Sequence, residues 1–335
     1  MRVVVFGAGA VGSTIGGMLA LKNHDVVLIC RKPHVSAIQE QKGLRIKSGT
    51  GEYFASVQAH SEVNKDMFQE NTCVFFTPKS YDTQSGVDLL SQTAPADIPV
   101  VGFQNGISNE AIIGEAFPNL YGGVCKMTCS CLQPGFVSLR RLGRLAVGKY
   151  PKGTDAFARQ LNKILSEAGF QSAQSKTIAC DKWLKLAVNL QSTVHAIIDG
   201  MDHDTPEFLK IKMGLFEEAE KVFRAKKIKA KSCDSHDFNI KEMIDELKRP
   251  RASTARTAMW VRNSTWQNLY LHRKEMENSF FHGPIIEMAQ ENNIEVPFNE
   301  VAFEMVQECH NDKLGPEAYR AIDLLDRINQ RNTKK

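Results

Sequence analysis

The stretch Arg2-Val3-Val4-Val5-Phe6-Gly7-Ala8-Gly9-Ala10-Val11-Gly12 decides the fold of this chain. The apolar run predicts a buried strand, and a helical apolar pattern follows the Gly-x-Gly-x-x-Gly motif. In such a unit Gly7 permits the tight turn, Gly9 lets the backbone approach a pyrophosphate, and Gly12 lets helix and strand pack closely. The helix then offers N–H groups and its positive dipole end to phosphates. This order favours a dinucleotide site over a tight turn in an unrelated βαβ unit.

Length and composition narrow the class of protein. A chain of 335 residues exceeds one ordinary core, so we expect two domains. The net charge of +4 suits an anionic small molecule and does not call for nucleic acid. The first apolar run stops at Gly7, far short of the ~20 residues that cross a bilayer, and no signal peptide is visible. We therefore expect a cytoplasmic protein without a membrane or nucleic-acid partner.

The eight cysteines show no framework of paired spacings, which favours reduced thiols. Cys125, Cys129 and Cys131 share parity and would face one side of a strand. A metal site is conceivable there, but no His or fourth Cys follows at ligand spacing. The pattern favours buried strand cysteines and no metal.

The end of the second predicted strand, Asp25–Cys30, bears on the choice of cofactor. NAD sites usually place an acidic residue about 20 positions beyond the glycines, to hold the ribose 2′-hydroxyl. This chain has Arg31-Lys32 there and no acid nearby in sequence. Two cations suit a 2′-phosphate, which Arg31 could hold bidentately. The alternative is a solvated basic turn; the pattern favours NADPH.

Two further strands, Thr72–Phe76 and Pro99–Phe103, precede polar residues, and residues 43–60 predict a short hairpin. Lys79 alone would more often be a surface lysine, and Asn105 alone a turn former. Ligands of open parallel sheets lie beyond the carboxyl ends of strands, where both residues fall. The predicted cofactor-binding residues are Gly7, Ala8, Gly9, Ala10, Val11, Gly12, Arg31, Lys79 and Asn105.

The pattern changes towards the second half of the chain. Short β-like runs occupy residues 121–149, a helix is predicted over 155–169, and nearly everything after Thr177 has helical period. We expect an α/β fold, with a Rossmann-type dinucleotide-binding domain over 1–178 and an all-helical domain over 179–335.

Two polar stretches of the second half have simple interpretations. The basic run at 221–231 has no interleaved aromatic residues, which favours a solvated helix end over a nucleic-acid site. Residues 331–335 are expected to form a frayed tail. An isologous homodimer through the helical domain is the commonest arrangement for such a protein.

Lys185 is the strongest candidate for chemistry in the helical half. It lies in an apolar helix predicted to begin near Ile178, and Asn189, four positions on, shares its face. A partly desolvated lysine has a lowered pKa and is a better acid near neutrality. Carbonyl reduction needs such a positioned acid. The alternative, which spacing alone favours, is a lysine reaching solvent beside a helical Asn.

The chain resembles the ketopantoate reductase family (2-dehydropantoate 2-reductases) over nearly its whole length. The residues that carry the resemblance are Gly7–Gly12, Arg31, Lys79, Gln104-Asn105-Gly106, Pro134-Gly135 and, most specifically, Lys185-Leu186-Ala187-Val188-Asn189. The family reduces the ketone of a 2-oxo acid with NADPH, converting 2-dehydropantoate to (R)-pantoate for pantothenate and coenzyme A biosynthesis. The resemblance implies that reaction here.

The resemblance also implies individual roles. Lys185 would protonate the nascent alkoxide, and Arg31 would hold the 2′-phosphate. Lys79 and Asn105 would lie along the cofactor, towards the nicotinamide and the substrate. Ser264-Thr265 falls where the family keeps a substrate-binding serine, and Glu277 where it keeps an acidic residue. The implied substrate-binding residues are Asn105, Asn189, Thr193, Ser264, Thr265 and Glu277.

Departures from the family pattern leave the substrate open. Thr193 stands where the family has a second Asn, and the usual Gly-x-x-Thr-Glu is replaced by the sequence at 272–277. Threonine keeps a hydroxyl but loses the donor and acceptor pair of an amide. Reduction of another 2-oxo acid or an imine, or non-catalytic NADPH sensing, are the alternatives. His195 could be a pocket donor or an ordinary helix residue.

The assignment of Glu277 makes a geometric demand. Thr265 and Glu277 are twelve positions apart, roughly 18 Å along a continuous helix, too far for one small pocket. The sequence therefore predicts a helix break around Tyr270–Lys274. Glu277 is expected early in the following helix, where the dipole favours an anion.

Overall fold

The computed structural model describes residues 1–249 and 262–333. The chain divides into two compact units, Met1–Lys182 and Trp183–Lys335. The division falls inside a helix, Ile178–Ile197. The domain boundary after residue 178 stays a prediction.

The first unit combines twelve strands with five complete helices. Its strands are β1 (Arg2–Phe6), β2 (Asp25–Ile29), β3 (Leu44–Ser48), β4 (Gly51–Ala55), β5 (Gln58–His60), β6 (Thr72–Phe76), β7 (Val100–Gly102), β8 (Leu120–Cys125), β9 (Thr128–Gln133), β10 (Phe136–Arg141), β11 (Arg144–Lys149) and β12 (Gln171–Gln174). Its helices are α1 (Ala10–Ala20), α2 (Lys32–Glu40), α3 (Thr83–Ser91), α4 (Asn109–Ala116) and α5 (Ala156–Glu167).

The main sheet has the order β12-β11-β8-β7-β6-β1-β2-β5. All neighbouring strands of this sheet pair in parallel, except that β8 and β11 pair with each other in antiparallel orientation. The central strands are continuous apolar runs because both faces of the sheet are covered. Chain order reverses between β1 and β6, so their carboxyl ends form the switch point at which such sheets bind ligands. The predicted Rossmann-type fold is confirmed.

A second sheet, ordered β4-β3-β10-β9, covers α1 from the side opposite the main sheet. The predicted hairpin at 43–60 is confirmed as β3 and β4. A Cβ atom on Gly16 would lie 2.7 Å from a methyl of Leu28 in the main sheet, and one on Gly17 would lie 2.5 Å from a methyl of Ile46 in the second. The two glycines therefore let α1 fit between two sheets.

The second unit is helical in its described part. Its helices are α6 (Ile178–Ile197, shared with the first unit), α7 (Pro206–Ala225), α8 (Ile240–Lys248), α9 (Ser264–Tyr270), α10 (Ser279–Glu291), α11 (Pro297–Asn311) and α12 (Ala321–Thr333). The basic run at 221–231 is a largely exposed helix end, as predicted. The prediction of a frayed tail is wrong for residues 331–333, which continue α12, where Arg331 pairs with Glu300 and Glu304. Lys334 and Lys335 lie outside the described residues.

The predicted helix break is confirmed. Helix α9 ends at Tyr270, and His272 follows with a φ of 44°. Glu277, however, lies before α10 and not inside it, because Asn278 occupies the N-cap position.

Two properties concern the described residues as a whole. Within 1–249 and 262–333, no helix is long and apolar enough to span a membrane. The same residues contain no group of three or more His, Cys, Asp or Glu side chains placed to hold a metal ion.

Candidate functional site

The glycine turn has the geometry that the motif predicts. Gly7 has a φ of +81°, and a Cβ atom there would lie 2.6 Å from the nitrogen of Pro78. A Cβ atom on Gly12 would collide with the hydroxyl of Thr77, 2.3 Å away. Gly9 is the N-cap of α1, and a Cβ atom there would lie 3.9 Å from the Gly7 carbonyl oxygen, which is an ordinary van der Waals distance. The turn and the close packing are thus confirmed, and the phosphate contact stays a prediction.

The predicted cofactor residues follow the carboxyl ends of four adjacent strands. The motif Gly7–Gly12 follows β1, Arg31 follows β2, Lys79 follows β6 and Asn105 follows β7. All four positions therefore lie along one edge of the main sheet, where parallel α/β folds bind ligands.

Arg31 has an acidic neighbour that its sequence context does not reveal. Asp82 places a carboxylate oxygen 3.6 Å from the Arg31 guanidinium, although the two are far apart along the chain. No acid lies near Arg31 in the sequence, and it is the loop after β6 that brings Asp82 to it. The Arg31 side chain remains 83% exposed, so this pair leaves most of the guanidinium accessible.

A buried hydrogen-bond chain fixes the glycine turn from behind. The Gly135 N–H donates to Nδ1 of His34 (2.8 Å), so the imidazole carries its proton on Nε2. That Nε2 lies 3.1 Å from the Ser13 hydroxyl, which donates to the Ala8 carbonyl at 3.0 Å. Burial lowers the pKa of His34, which favours this neutral form. The Ala8 carbonyl is thereby tied to the β9–β10 turn.

A second buried network holds the backbone of Asn105. The Asn105 carbonyl accepts hydrogen bonds from the Ser80 hydroxyl (3.1 Å) and the Asn109 amide (2.7 Å). The Thr83 hydroxyl donates to the same Asn109 side chain and accepts from Gln104, each at 2.8 Å. Sequence reasoning missed these partners, because they meet only when the loops after β6 and β7 are folded together.

Lys182 and Glu110 form a buried ion pair beside this loop. The Lys182 ammonium also donates to the Gln104 carbonyl at 3.1 Å. Burial raises the pKa of Glu110, while the neighbouring ammonium opposes that rise. A charge pair thus fixes the backbone immediately before Asn105.

The three cysteines of equal parity do not share a strand. Cys125 lies on β8, whereas Cys129 and Cys131 lie on β9. A turn separates the two strands, so the three thiols do not form one row. All three cysteines are half-buried, and the expectation of buried strand cysteines is wrong in this respect. Burial raises the pKa of the Cys129 thiol.

In the second unit, α6 carries Lys185 and Asn189 one helical turn apart, and both are half-buried. The Ser192 hydroxyl donates to the Asn189 carbonyl, and the Ser192 carbonyl accepts a 2.8 Å bond from the Asn263 amide. Asn263 in turn caps α9. These bonds connect the helix of the candidate acid to the start of α9, where Ser264 and Thr265 lie.

Thr193 lies inside a buried polar cluster. Its hydroxyl is 2.8 Å from Nε2 of His282 and accepts a 2.7 Å bond from Nδ2 of Asn278. Nδ1 of His282 lies 3.0 Å from the Asn299 side-chain oxygen. Asn299 donates through its Nδ2 to Glu218 at 2.7 Å. We call Glu218, Asn299, His282, Thr193 and Asn278 the polar relay.

Glu218 anchors one end of the polar relay. Its carboxylate accepts the backbone N–H groups of Phe298 (2.8 Å) and Asn299 (2.9 Å) in the first turn of α11. Burial raises the pKa of Glu218 to about 7, against the effect of these donors. Burial also lowers the pKa of His282 to about 4, so this imidazole is neutral near pH 7.

Three of the sequence-predicted substrate residues meet at Asn278. Its Nδ2 contacts the hydroxyls of Thr193 and, at 3.4 Å, Thr265, and Glu277 is its chain neighbour. Thr265 and Glu277 are buried, and Ser264 is half-buried. Asn278 itself was missed, although its position beside Glu277 was a usable signal. His282, four residues on, shares its helix face.

His195 lies among aromatic rings. Its ring centroid is 4.8 Å from His203 and 4.9 Å from Phe208. Burial lowers the pKa of His195 well below its usual value. This position resembles an ordinary packed helix residue, the plainer of the two interpretations.

Both units contain a segment that matches a known family model. Residues 3–152 match the family model described as "Ketopantoate reductase PanE/ApbA", and residues 177–310 match its C-terminal counterpart. The 2-dehydropantoate 2-reductase of Pyrococcus horikoshii is 29% identical over 314 residues, which are 92% of this chain and 97% of the relative. That of Halobacterium salinarum is 27% identical over 319 residues, covering 93% and 100%.

Solved structures agree. A PanE/ApbA family ketopantoate reductase from Ralstonia eutropha superposes with a TM-score of 0.74 at 26% identity, covering 94% of this chain and all of the other. A D-mandelate dehydrogenase, solved with NADH and anilino(oxo)acetate, superposes with a TM-score of 0.77 at 23% identity over the same shares. The second likeness concerns the fold alone.

Proposed function

Because the chain belongs to the ketopantoate reductase family, we propose that it reduces the ketone of 2-dehydropantoate to (R)-pantoate with NADPH. The observation that carries the proposal is Lys185 with Asn189 on one face of α6, in a chain whose first unit has the dinucleotide-binding turn. Residues 1–178 would serve the cofactor and 179–335 the substrate. The homodimer and the cytoplasmic location stay predictions.

The first unit has features that fit a nicotinamide dinucleotide. Gly9 leaves room for a pyrophosphate at the start of α1, whose N–H groups and dipole favour an anion. The exposed Arg31 guanidinium would hold the 2′-phosphate of NADPH, and Lys79 and Asn105 would lie farther along the cofactor.

When bound, NADPH would supply a hydride to the ketone carbon. Lys185 then donates its proton to the ketone oxygen, which develops negative charge as the carbon is reduced. Asn189 hydrogen-bonds the substrate beside this oxygen.

The test of this proposal is NADPH oxidation with 2-dehydropantoate, in the wild type and in Lys185→Ala. We expect kcat to fall by about 10²- to 10⁴-fold in Lys185→Ala, the usual contribution of a general acid. NADPH affinity should stay within about twofold, because the change acts on the transition state. Lys241→Ala, on the exposed surface of α8, is the matched control. A Lys185→Ala enzyme with more than a tenth of the wild-type kcat would refute the assigned role.

Reduction of a different 2-oxo acid is a second candidate, favoured by Thr193 in place of an amide residue. A panel of 2-oxo acids, with and without amines, separates the possibilities by kcat/KM. A higher value for another 2-oxo acid supports this candidate, and turnover only with an amine indicates an imine substrate. Tight NADPH binding without any turnover would indicate a sensor.

A further inference from the structure

The side-chain oxygen of Asn278 is a buried acceptor with no hydrogen-bond donor among residues 1–249 and 262–333. Asn278 is 1% exposed, and no described residue donates to its Oδ1. Its Nδ2, by contrast, donates to Thr193 and approaches Thr265. Leaving a buried polar atom unpaired is costly, so such an atom in a binding region calls for an explanation.

The polar relay determines which way the Asn278 amide faces. Asn299 gives its Nδ2 to Glu218, so its oxygen faces Nδ1 of His282, which must carry the proton. Nε2 of His282 is then an acceptor, and it takes the proton of the Thr193 hydroxyl. The remaining Thr193 lone pairs call for a donor, which only the amide nitrogen of Asn278 provides. Oδ1 is therefore held on the other side of the amide.

The position of this oxygen associates it with the substrate. Asn278 contacts Thr193 and Thr265 and follows Glu277 directly, and all three are proposed substrate-site residues. Asn278 thus contacts or adjoins all three.

We infer that Asn278 is a specificity-determining residue, whose Oδ1 accepts a hydrogen bond from a hydroxyl group of the substrate. This inference rests on the proposed function. Oδ1 is an acceptor and therefore repels the carboxylate and ketone oxygens of a 2-oxo acid, which are acceptors too. The hydroxyl group of 2-dehydropantoate is its one donor. Asn278 thus selects 2-oxo acids that carry a hydroxyl group.

Three members of the polar relay, His282, Asn299 and Glu218, are positioning residues in this scheme. Each acts by orienting the next amide, imidazole or hydroxyl and does not need to contact the substrate. A site built to accept a hydroxyl discriminates strongly against the analogue that lacks it, since its own polar atom is then left unpaired.

The experiment compares 2-dehydropantoate with 3,3-dimethyl-2-oxobutanoate, which lacks only the hydroxyl group. We expect the wild type to favour 2-dehydropantoate by about 10- to 100-fold in kcat/KM. Asn278→Leu should remove most of this preference through a higher KM for 2-dehydropantoate. The kcat/KM for the analogue should fall less than that for 2-dehydropantoate, because the analogue has no hydroxyl group for Oδ1 to accept.

Two further variants complete the design. Asn278→Ser keeps a residue suited to the N-cap of α10 but withdraws the acceptor, so it should lose the preference even where the leucine variant folds poorly. Asn292→Leu, at the opposite end of α10, is the matched control and should keep the wild-type preference. Thermal unfolding of each variant checks that the fold is retained.

The outcomes separate this inference from the proposed function. A wild type that reduces both compounds, with the same preference in Asn278→Leu and Asn278→Ser, overturns the role of Asn278 and leaves the proposed function standing. A wild type that reduces neither compound overturns both.

Discussion

In the first unit buried side chains hold backbone carbonyls, whereas in the second unit they hold one side-chain amide. Ser13 fixes the carbonyl of Ala8, and Lys182 fixes that of Gln104. The polar relay of the second unit ends instead on Asn278. The two units thus use buried polarity on different targets.

The difference would follow from the ligand proposed for each unit. A dinucleotide phosphate is bound largely by backbone N–H groups at a turn, so the position of the main chain must be held. A small substrate is distinguished by the donors and acceptors of individual side chains, whose orientation must be held. The first unit uses a charged pair for this purpose, and the second uses neutral groups that end on one carboxyl group.

The largest expected effect comes from removing one charge of the buried Lys182–Glu110 pair. Lys182→Met leaves the Glu110 carboxyl buried without its ammonium, so we expect a loss of about 3–5 kcal/mol in the free energy of unfolding. Urea unfolding measures this loss, and NADPH affinity should fall with it because the Gln104 carbonyl loses its donor.

The matched control is the double variant Lys182→Met, Glu110→Gln. Removing both charges avoids an uncompensated buried ion, so much of the stability should return while the weakened NADPH binding persists. If the free energy of unfolding of Lys182→Met lies within about 1 kcal/mol of the wild-type value, the ion pair does not stabilise the fold.

The next test uses the pH dependence of the neutral relay. The pKa of His282 is about 4 in the folded protein and 6.5 when unfolded, so the unfolded state takes up the proton first as the pH falls. His282 therefore costs stability as the pH falls from 6.5 to 4, by about 3 kcal/mol in full.

Glu218 acts in the opposite direction over much of the same range. Its pKa of about 7 in the folded protein exceeds 4.5, so its contribution to stability is present at pH 4.5 and is lost as the pH rises to 7. The variant His282→Gln, whose amide can both donate and accept, isolates the histidine. Wild-type stability should fall relative to this variant between pH 6.5 and 4; parallel curves would contradict the buried neutral imidazole.

The smallest expected effect concerns Arg31, which is exposed, unlike the buried polar groups of the first unit. Arg31 would recognise the cofactor with a side chain that is 83% exposed. Arg31→Ala should raise the KM for NADPH about 10-fold and that for NADH less than about twofold, with a smaller difference at high salt. Arg45→Ala, on the second sheet, is the control. Equal losses for both cofactors would place the 2′-phosphate elsewhere.

The sequence predicted those features whose cause is local. The turn at Gly7, the close packing at Gly12 and the break after Tyr270 follow from neighbouring residues or from helix length. Each of these needs no knowledge of the tertiary fold.

The features that the sequence did not reveal depend on distant segments. Asp82 reaches Arg31, and Lys182 reaches Glu110, only after strands separated along the chain have paired. Asn278 looks like an ordinary helix cap until the structure brings Thr193 to its amide. The residues that orient other side chains were therefore the ones that sequence reasoning missed.

Helix α1 has a consequence for engineering this protein. With a sheet packed against each of two faces, at Gly16 and Gly17, the helix leaves no room for larger side chains at these positions. A change of coenzyme preference therefore has to be made at exposed side chains outside the packed core. The exposed pair of Arg31 and Asp82 offers that opportunity, because both side chains can be exchanged without disturbing a core.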